Sequence, residues 1–185
     1  VGRIEISSLF GLVIAIVIYL FSPLALPAPT DSFMLIAHRG VSQTFPLANL
    51  ENDTCTAKII YPPTHRLLEN TLPSMAAAFE YGADMVELDI HPTTDNQLAV
   101  FHDWTLDCRT NGQGITHEQP MDSLKQLDIG YGYTADGGRT YPLRSQGVAM
   151  MPTLDEVLKT FPDKQFLIDQ KDRFDQTIKL LSNVL

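Results

Sequence analysis

The segment Met85–His91, MVELDIH, constrains the fold of this chain more than any other stretch. Side chains alternate between the two faces of a strand, so Glu87 and Asp89 share one face and the intervening apolar residues share the other. Two carboxylates in a buried strand repel each other and lose hydration, which costs free energy unless a positive charge lies between them. The segment therefore predicts a buried strand whose polar face meets a cation.

Three further apolar segments resemble strands, and ionisable residues stand at the end of each. The four predicted strands are 34–37, 85–91, 98–101 and 166–168. The ionisable residues at or beyond their ends are His38 and Arg39, Glu87 and Asp89, His102 and Asp103, and Asp169 and Lys171.

Helical signals fall between these strands. Thr71 is a predicted N-cap, and the helix that follows places Met75, Ala76 and Phe79 on one face and stops at Gly82. Further helices are predicted from a capping box at 153–156, near 122–127 and over 174–185, whereas 41–69 and most of 104–150 read as loops. Strands that alternate with helices indicate an α/β fold with a parallel sheet, and β/α barrels place their active sites at the carboxyl ends of the strands.

The residue types at these ends have a common chemistry. Glu87, Asp89 and Asp169 make an oxygen-only site that suits a hard divalent cation, Ca²⁺ or Mg²⁺. Two histidines at one mouth provide a general acid and a general base. Arg39 and Lys171 carry positive charge suited to a phosphate. Together they predict phosphodiester cleavage.

The motifs AHRG, ENTLPSMAAAFEYGADMVELDIH, FHDWTLDCRT and LIDQK, in this order, resemble the glycerophosphodiester phosphodiesterase family. The resemblance implies a (β/α)8 barrel and the hydrolysis of glycerophosphodiesters to glycerol 3-phosphate and an alcohol, by way of a cyclic phosphate formed by the substrate's own hydroxyl. It implies the following roles: His38 and His102 as acid and base, Glu87, Asp89, Asp169 and Glu69 around the metal, and Arg39, Lys171 and Asn70 at the substrate.

Three details differ from the family's usual pattern. The element after the fourth strand commonly reads Glu-x-Lys in this family, whereas here it is Asp169-Gln170-Lys171, whose shorter carboxylate can still bind the cation. A similar sequence, ENDT at Glu51–Thr54, precedes the Glu-Asn-Thr motif. We assign the motif to residues 69–71, because only these residues open a predicted helix. An eight-stranded barrel takes roughly 250 residues, so four strands indicate only its N-terminal half. In such a half-barrel the outer edges of the first and fourth strands would be unpaired, so residues 31–185 are not expected to form a competent enzyme alone.

The N-terminus carries the unbroken apolar run 9–21. As a helix, residues 9–26 are about 27 Å long, close to the thickness of a bilayer core. We predict a membrane anchor in residues 1–30, ahead of an extracytoplasmic barrel domain over 31–185. A cleaved signal peptide, which would leave the domain secreted, is the rival interpretation, and a buried core helix is the third.

The net charge, the two cysteines and the remaining histidines allow further predictions. The net charge of −9 disfavours nucleic acid, whose binding depends on basic contacts to phosphates. Cys55 and Cys108 either form one disulfide or remain free thiols. The other histidines, His65, His91 and His117, have no motif support and are predicted in loops or on the surface.

Two other functions are compatible with these residues. One is a related barrel enzyme acting on membrane lipid, such as a lysophospholipase D or a phosphoinositide-type phospholipase. The other is a membrane-tethered phosphate-binding module without turnover. The motifs leave the oligomeric state and the alcohol part of the substrate open.

Overall fold

The computed structural model describes residues 33–51, 54–171 and 175–184, together with Val17. The described strands are β1 (Ile36–His38), β2 (Met85–Pro92), β3 (Leu98–Val100) and β4 (Gln165–Gln170). The α-helices are α1 (Leu72–Glu80), α2 (Met121–Leu124), α3 (Leu154–Thr160) and α4 (Asp175–Val184), and 3₁₀ turns occur at Thr56–Ile59 and Thr116–Glu118. All four predicted strands and all four predicted helices are present, with small shifts of their ends.

Strand β2 is the centre of the sheet. Strands β1 and β4 pair with it in parallel, with Ala37 opposite Val86 and Asp169 opposite Asp89. Both neighbours pair with Met85–Glu87 of β2, so they lie on its two opposite edges. Glu87 and Asp89 therefore lie at the level where β1 and β4 end.

The prediction that the third strand is parallel is wrong. Strand β3 runs antiparallel to β2, with Val100 opposite Ile90 and Leu98 opposite Pro92. Only five residues link the two strands, and Thr93 closes this link by donating its amide N–H to the carbonyl of Gln97 at 2.9 Å. A parallel return would need a crossover of a dozen residues or more, so a link this short can only reverse the chain.

The reversal decides where the second histidine lies. Ile90 pairs with β4 on one side and with β3 on the other, so β3 occupies the same edge of β2 as β1. Strand β1 ends at His38 and β3 approaches from the opposite direction toward His102. The two histidines consequently come to one edge of β2, although their strands run in opposite directions.

The helices begin where the capping residues predict. Thr71 accepts the amide N–H of Ser74, Ser74 bonds back to the amide of Thr71, and α1 follows with proline in its first turn. Thr153 and Glu156 form the same reciprocal pair at the start of α3. One detail is wrong: Ala76 is exposed, and Ala78 lies in its place on the buried face of α1.

Two apolar clusters hold these elements in place. The first lies beneath the sheet, where the apolar face of β2 packs against α1 and α3. Val86, Leu88 and Ile90 are each fully buried there, which confirms the alternation predicted from the sequence. The second gathers Tyr133, Leu143 and Met151 from the loop-rich region after β3. The side of the sheet that carries Glu87 is less covered: Leu167, directly opposite it in register, is 50% exposed.

A disulfide joins the long loop after β1 to the segment after β3. Cys55 and Cys108 are bonded, with their Cα atoms 5.7 Å apart. This decides between the two states of the cysteines that the sequence left open. The bond fixes the 3₁₀ turn at Thr56–Ile59 beside the residues that follow His102.

The described elements belong to one compact unit, Met34–Leu185. Apart from Val17, the predicted anchor over 9–26 lies outside the described residues, so its prediction stays a prediction. Within the described part of the chain, no helix is both long enough and apolar enough to cross a membrane.

Candidate active site

Three carboxylates converge at the middle of β2. One oxygen each from Glu87, Asp89 and Asp169 lies within 4.8 Å of the others. Asp89 is fully buried and Glu87 is 8% exposed, whereas Asp169 is on the exposed side of β4. The alternation of β2 aims the first two at one face, and the parallel register of β4 places the third directly across from Asp89.

Lys171 and Arg39 compensate much of this negative charge. The Nζ of Lys171 lies 2.8 Å from Asp89 Oδ1 and 2.6 Å from Asp169 Oδ2. Arg39 Nε lies 3.2 Å from Asp89 Oδ2. Burial alone would raise the pKa of Asp89, but Arg39 and Lys171 hold it below its usual value. Asp89 is therefore a carboxylate throughout the neutral range.

Glu87 has the opposite character. Its burial, and next the charge of Asp89, raise its pKa to about 7. The backbone N–H of Arg39 donates to its Oε2 at 3.1 Å, and the Arg39 guanidinium favours its charged form, yet both effects are smaller than the burial. A cation bound between these carboxylates would favour the charged form of Glu87 and so oppose the effect of its burial.

The loop after β1 aims Arg39 inward. Arg39 has a φ of 61°, in the left-handed region that disfavours most side chains. Gly40 follows with a φ of 77°, and a Cβ there would lie 2.8 Å from the backbone carbon of Ser74. The close approach of this loop to the start of α1 therefore requires glycine, which accounts for the His-Arg-Gly sequence after the strand.

Asn70 supports Asp89 from the same side. It is buried, its Nδ2 donates to Asp89 Oδ2 at 2.7 Å, and its Oδ1 accepts the backbone N–H of Asp89 at 3.3 Å. Among the described residues, its neighbour Glu69 is not part of the cluster formed by Glu87, Asp89 and Asp169. Glu69 instead accepts from Arg39 Nη1 at 2.9 Å and from Tyr133 Oη at 3.4 Å. Asn70 thus holds Asp89 in place, and Glu69 holds Arg39.

His102 is held in one orientation by its neighbour. Its Nδ1 lies 2.7 Å from Asp103 Oδ1, and Arg109 donates to the other oxygen of Asp103. Burial would raise the pKa of Asp103, but the hydrogen bond from His102 and the charge of Arg109 lower it. Because Asp103 is a carboxylate, Nδ1 of His102 must carry the hydrogen of this bond, which leaves Nε2 to exchange a proton at the mouth.

His38 reaches the site from the end of β1. Its Nε2 lies 3.8 Å from Glu87 Oε2, and two thirds of its side chain is exposed. Burial and then the charge of Arg39 lower its pKa. The neutral imidazole that results is the form able to accept a proton near pH 7.

The sequence profile of the glycerophosphoryl diester phosphodiesterase family matches residues 38–181, which contain every residue of this site. The chain belongs to that family. Members of the family include a glycerophosphodiester phosphodiesterase of Caldanaerobacter subterraneus, 33% identical over 138 residues that cover 74% of this chain and 43% of that protein. A Bacillus subtilis glycerophosphodiester phosphodiesterase is 30% identical over 165 residues, covering 85% of this chain and 47% of that protein.

Solved structures agree with the sequence relatives. An Oleispira antarctica phosphodiesterase in complex with the product sn-glycerol-3-phosphate superposes with a TM-score of 0.57 at 25% identity, covering 83% of this chain and 51% of that one. The chain thus spans about half the length of the relatives it matches. The predicted family and its α/β-barrel fold class are confirmed, and the described residues supply four strands of that fold.

Two site residues of this family member were not singled out from the sequence. Arg109 is 2% exposed and connects Asp103 to Glu69, and Tyr133 is buried against Glu69. Burial would lower the pKa of Arg109, but Glu69, Tyr133 and Asp103 together outweigh it and raise that pKa. Burial, and next Glu69, raise the pKa of Tyr133. Both come from the loop-rich region after β3, where no periodicity marks a buried position.

One histidine was placed wrongly. His91 was predicted in a loop or on the surface, but it is fully buried on β2 and its Nε2 lies 3.3 Å from the backbone carbonyl of His102. It shares the face of Glu87 and Asp89, so the alternation that identified them could have identified it as well. His65 is partly buried in a loop, and His117 is partly buried in the 3₁₀ turn Thr116–Glu118.

Proposed function

We propose that this chain provides the catalytic face of a metal-dependent phosphodiesterase that hydrolyses glycerophosphodiesters to glycerol 3-phosphate and an alcohol. The observation that carries the proposal is the convergence of three carboxylates, two cations and two histidines at one level of β2. The glycerol 3-phosphate held by the Oleispira relative supports the same class of substrate.

The carboxylates fit a divalent cation by their chemistry. All three candidate donors, Glu87, Asp89 and Asp169, are hard oxygen ligands, and they stand close enough to share one ion. This donor set favours Ca²⁺ or Mg²⁺ over zinc, which selects nitrogen and sulfur ligands. A bound ion would neutralise charge that develops on the phosphoryl oxygens.

The cations of the chain suit the phosphate of the substrate. Arg39 and Lys171 each retain some exposure, with 13% and 18% of their side chains accessible. Both form ion pairs with Asp89, so a phosphate bound beside the three carboxylates also contacts these two cations. Because these ion pairs already fix the two side chains, they need to reorganise little when a substrate binds.

The histidines account for the proton transfers. Cleavage of a phosphodiester needs a base for the attacking hydroxyl and an acid for the oxygen of the departing alcohol. His38 and His102 approach from opposite ends of one edge of β2, which suits groups that act on the two sides of one phosphorus atom. Asp103 holds His102 with Nε2 free for this transfer.

The disulfide supports the proposed extracytoplasmic location. Bonds such as Cys55–Cys108 persist in oxidising compartments and are rare in the cytosol. A membrane anchor or a signal segment within residues 1–30 would deliver the domain to such a compartment.

The test is release of glycerol 3-phosphate from a panel of glycerophosphodiesters by the full-length protein, before and after removal of divalent ions. We expect activity that chelation abolishes and that Ca²⁺ or Mg²⁺ restores. Asp169→Asn should weaken calorimetric binding of the restoring ion, while Glu80→Gln, an exposed carboxylate on α1, serves as the matched control. Activity that survives exhaustive chelation, or no release from any diester, would contradict the proposal.

A further inference from the structure

A cavity opens beside His102, on the side of the disulfide. Its volume is about 360 Å³. Trp104, the bonded pair Cys55 and Cys108, and Thr54 line it together with His102. We call it the disulfide cleft. It shares His102 with the catalytic mouth, so a molecule bound across the phosphate site could extend into it.

The charges of the disulfide cleft differ from those of the mouth. Among the described residues that line it there is no lysine or arginine, so it offers no permanent positive charge to an anionic group. Its carboxylate, Asp103, has both oxygens engaged, one by His102 and the other by Arg109. The groups suited to phosphate and to the hydroxyls of glycerol, by contrast, gather around Asp89 and Lys171.

Trp104 gives the cleft its recognition surface. The side chain is 52% exposed although it follows two partly buried residues. The rings of His91 and His117 meet it at 78° and 84°, with centroids 5.9 and 5.7 Å away. The indole is therefore held by two neighbouring rings and still presents open aromatic surface, which attracts an alkylated cation.

We propose that the disulfide cleft binds the alcohol part of the diester and favours an alcohol that carries a quaternary ammonium group. The inference rests on the proposed function, because it assigns the two ends of one substrate. Glycerol and phosphate occupy the carboxylate side, and the alcohol occupies the side of Trp104. An exposed aromatic face, with no lysine or arginine among the described residues around it and in a chain of net charge −9, suits an N-methylated cation better than a polyol.

The test compares two diesters, glycerophosphocholine and glycerophosphoglycerol, in the full-length protein with Trp104→Ala and Trp104→Phe. We expect Trp104→Ala to lower kcat/KM for the choline diester about tenfold and to change that for the glycerol diester less than twofold. Trp104→Phe should recover most of the loss, since it restores an aromatic face. The control, Tyr81→Ala, removes an exposed aromatic residue just before the first residue of β2. It should leave the ratio of kcat/KM for the two diesters unchanged.

The outcomes separate the two proposals. An equal loss on both diesters, with an unchanged thermal unfolding midpoint, would overturn the assignment of the cleft while leaving the phosphodiesterase function intact. An unchanged kcat/KM for the choline diester in Trp104→Ala would overturn it as well. Failure of the unaltered protein to cleave these or any other glycerophosphodiester would overturn the proposed function, and this inference with it.

Discussion

Asp103 accepts a hydrogen bond from Nδ1 of His102 at 2.7 Å, and the other oxygen of Asp103 is held by the buried guanidinium of Arg109. Arg109 also donates to Glu69, which in turn accepts from Arg39. His102 is therefore tied, through one connected network, to the arginine that faces the carboxylate group.

Replacement of Asp103 by Asn should impair turnover more than it impairs folding. The asparagine amide can either donate to Nδ1 of His102 or accept from it. It therefore no longer keeps the hydrogen on Nδ1, and the population of the productive tautomer falls. We expect kcat to drop about 10²-fold or more, with KM changed little and the acidic limb of the pH–rate profile displaced. Asp107→Asn, at an exposed carboxylate nearby, is the control. Near-normal kcat in Asp103→Asn would show that this hydrogen bond has no catalytic role.

The two proposed catalytic histidines should act as a unit. Replacing His38 or His102 by Ala should each lower kcat by about 10²–10⁴-fold, the usual contribution of a general acid or base. The double variant should be little worse than either single one, because the loss of one partner already removes the concerted proton transfer. Rates measured for all three variants at several pH values check this. Losses that multiply in the double variant would indicate independent roles.

The disulfide should contribute measurably to stability. Cys55 and Cys108 are 53 positions apart in the sequence, so their bond restrains a long loop of the unfolded chain. We expect Cys55→Ser combined with Cys108→Ser to lower the free energy of unfolding by about 2–4 kcal/mol. Denaturant unfolding of the two proteins under oxidising conditions measures the difference, and the serine variant should not respond to a reductant. A difference below about 0.5 kcal/mol would contradict the prediction.

Local patterns in the sequence predicted the parts of this site that lie on regular elements. The alternation on β2 identified Glu87 and Asp89, and the capping residue Thr71 located the start of α1. The same alternation could have identified His91. The direction of β3 was predicted wrongly because the order of strands and helices outweighed the shortness of the link after Pro92.

The remaining residues of the site depend on contacts that no local pattern encodes. Arg109 and Tyr133 meet Glu69 across sequence separations of 40 and 64 residues. They come from loop segments in which burial follows from tertiary packing rather than from periodicity. The pairing of the two cysteines was undetermined for the same reason, since the distance between two loops cannot be read from either one.

Glu87 should give the metal-free protein a pH-dependent stability. Its folded pKa is raised to about 7 by burial and by Asp89, whereas an unfolded glutamate titrates near 4.3. Ionisation is therefore disfavoured in the fold, so its cost is absent below about pH 4, grows as the pH rises, and is complete above about pH 7. We expect Glu87→Gln to stabilise the metal-free protein by about 1–3 kcal/mol at pH 8 and by much less at pH 4.

The same carboxyl should make metal binding depend on pH. Below about pH 7 the cation must displace the proton of Glu87, so affinity should fall about tenfold for each further unit of pH and level off above pH 8. Calorimetry of Ca²⁺ or Mg²⁺ binding between pH 5.5 and 8.5, in buffers of different ionisation enthalpy, measures the affinity and the released proton together. Glu87→Gln should bind weakly at every pH and release no proton. An affinity that does not change between pH 5.5 and 7 would mean that Glu87 is already ionised in the metal-free protein, and the pH-dependent gain in stability expected of Glu87→Gln would then be absent too.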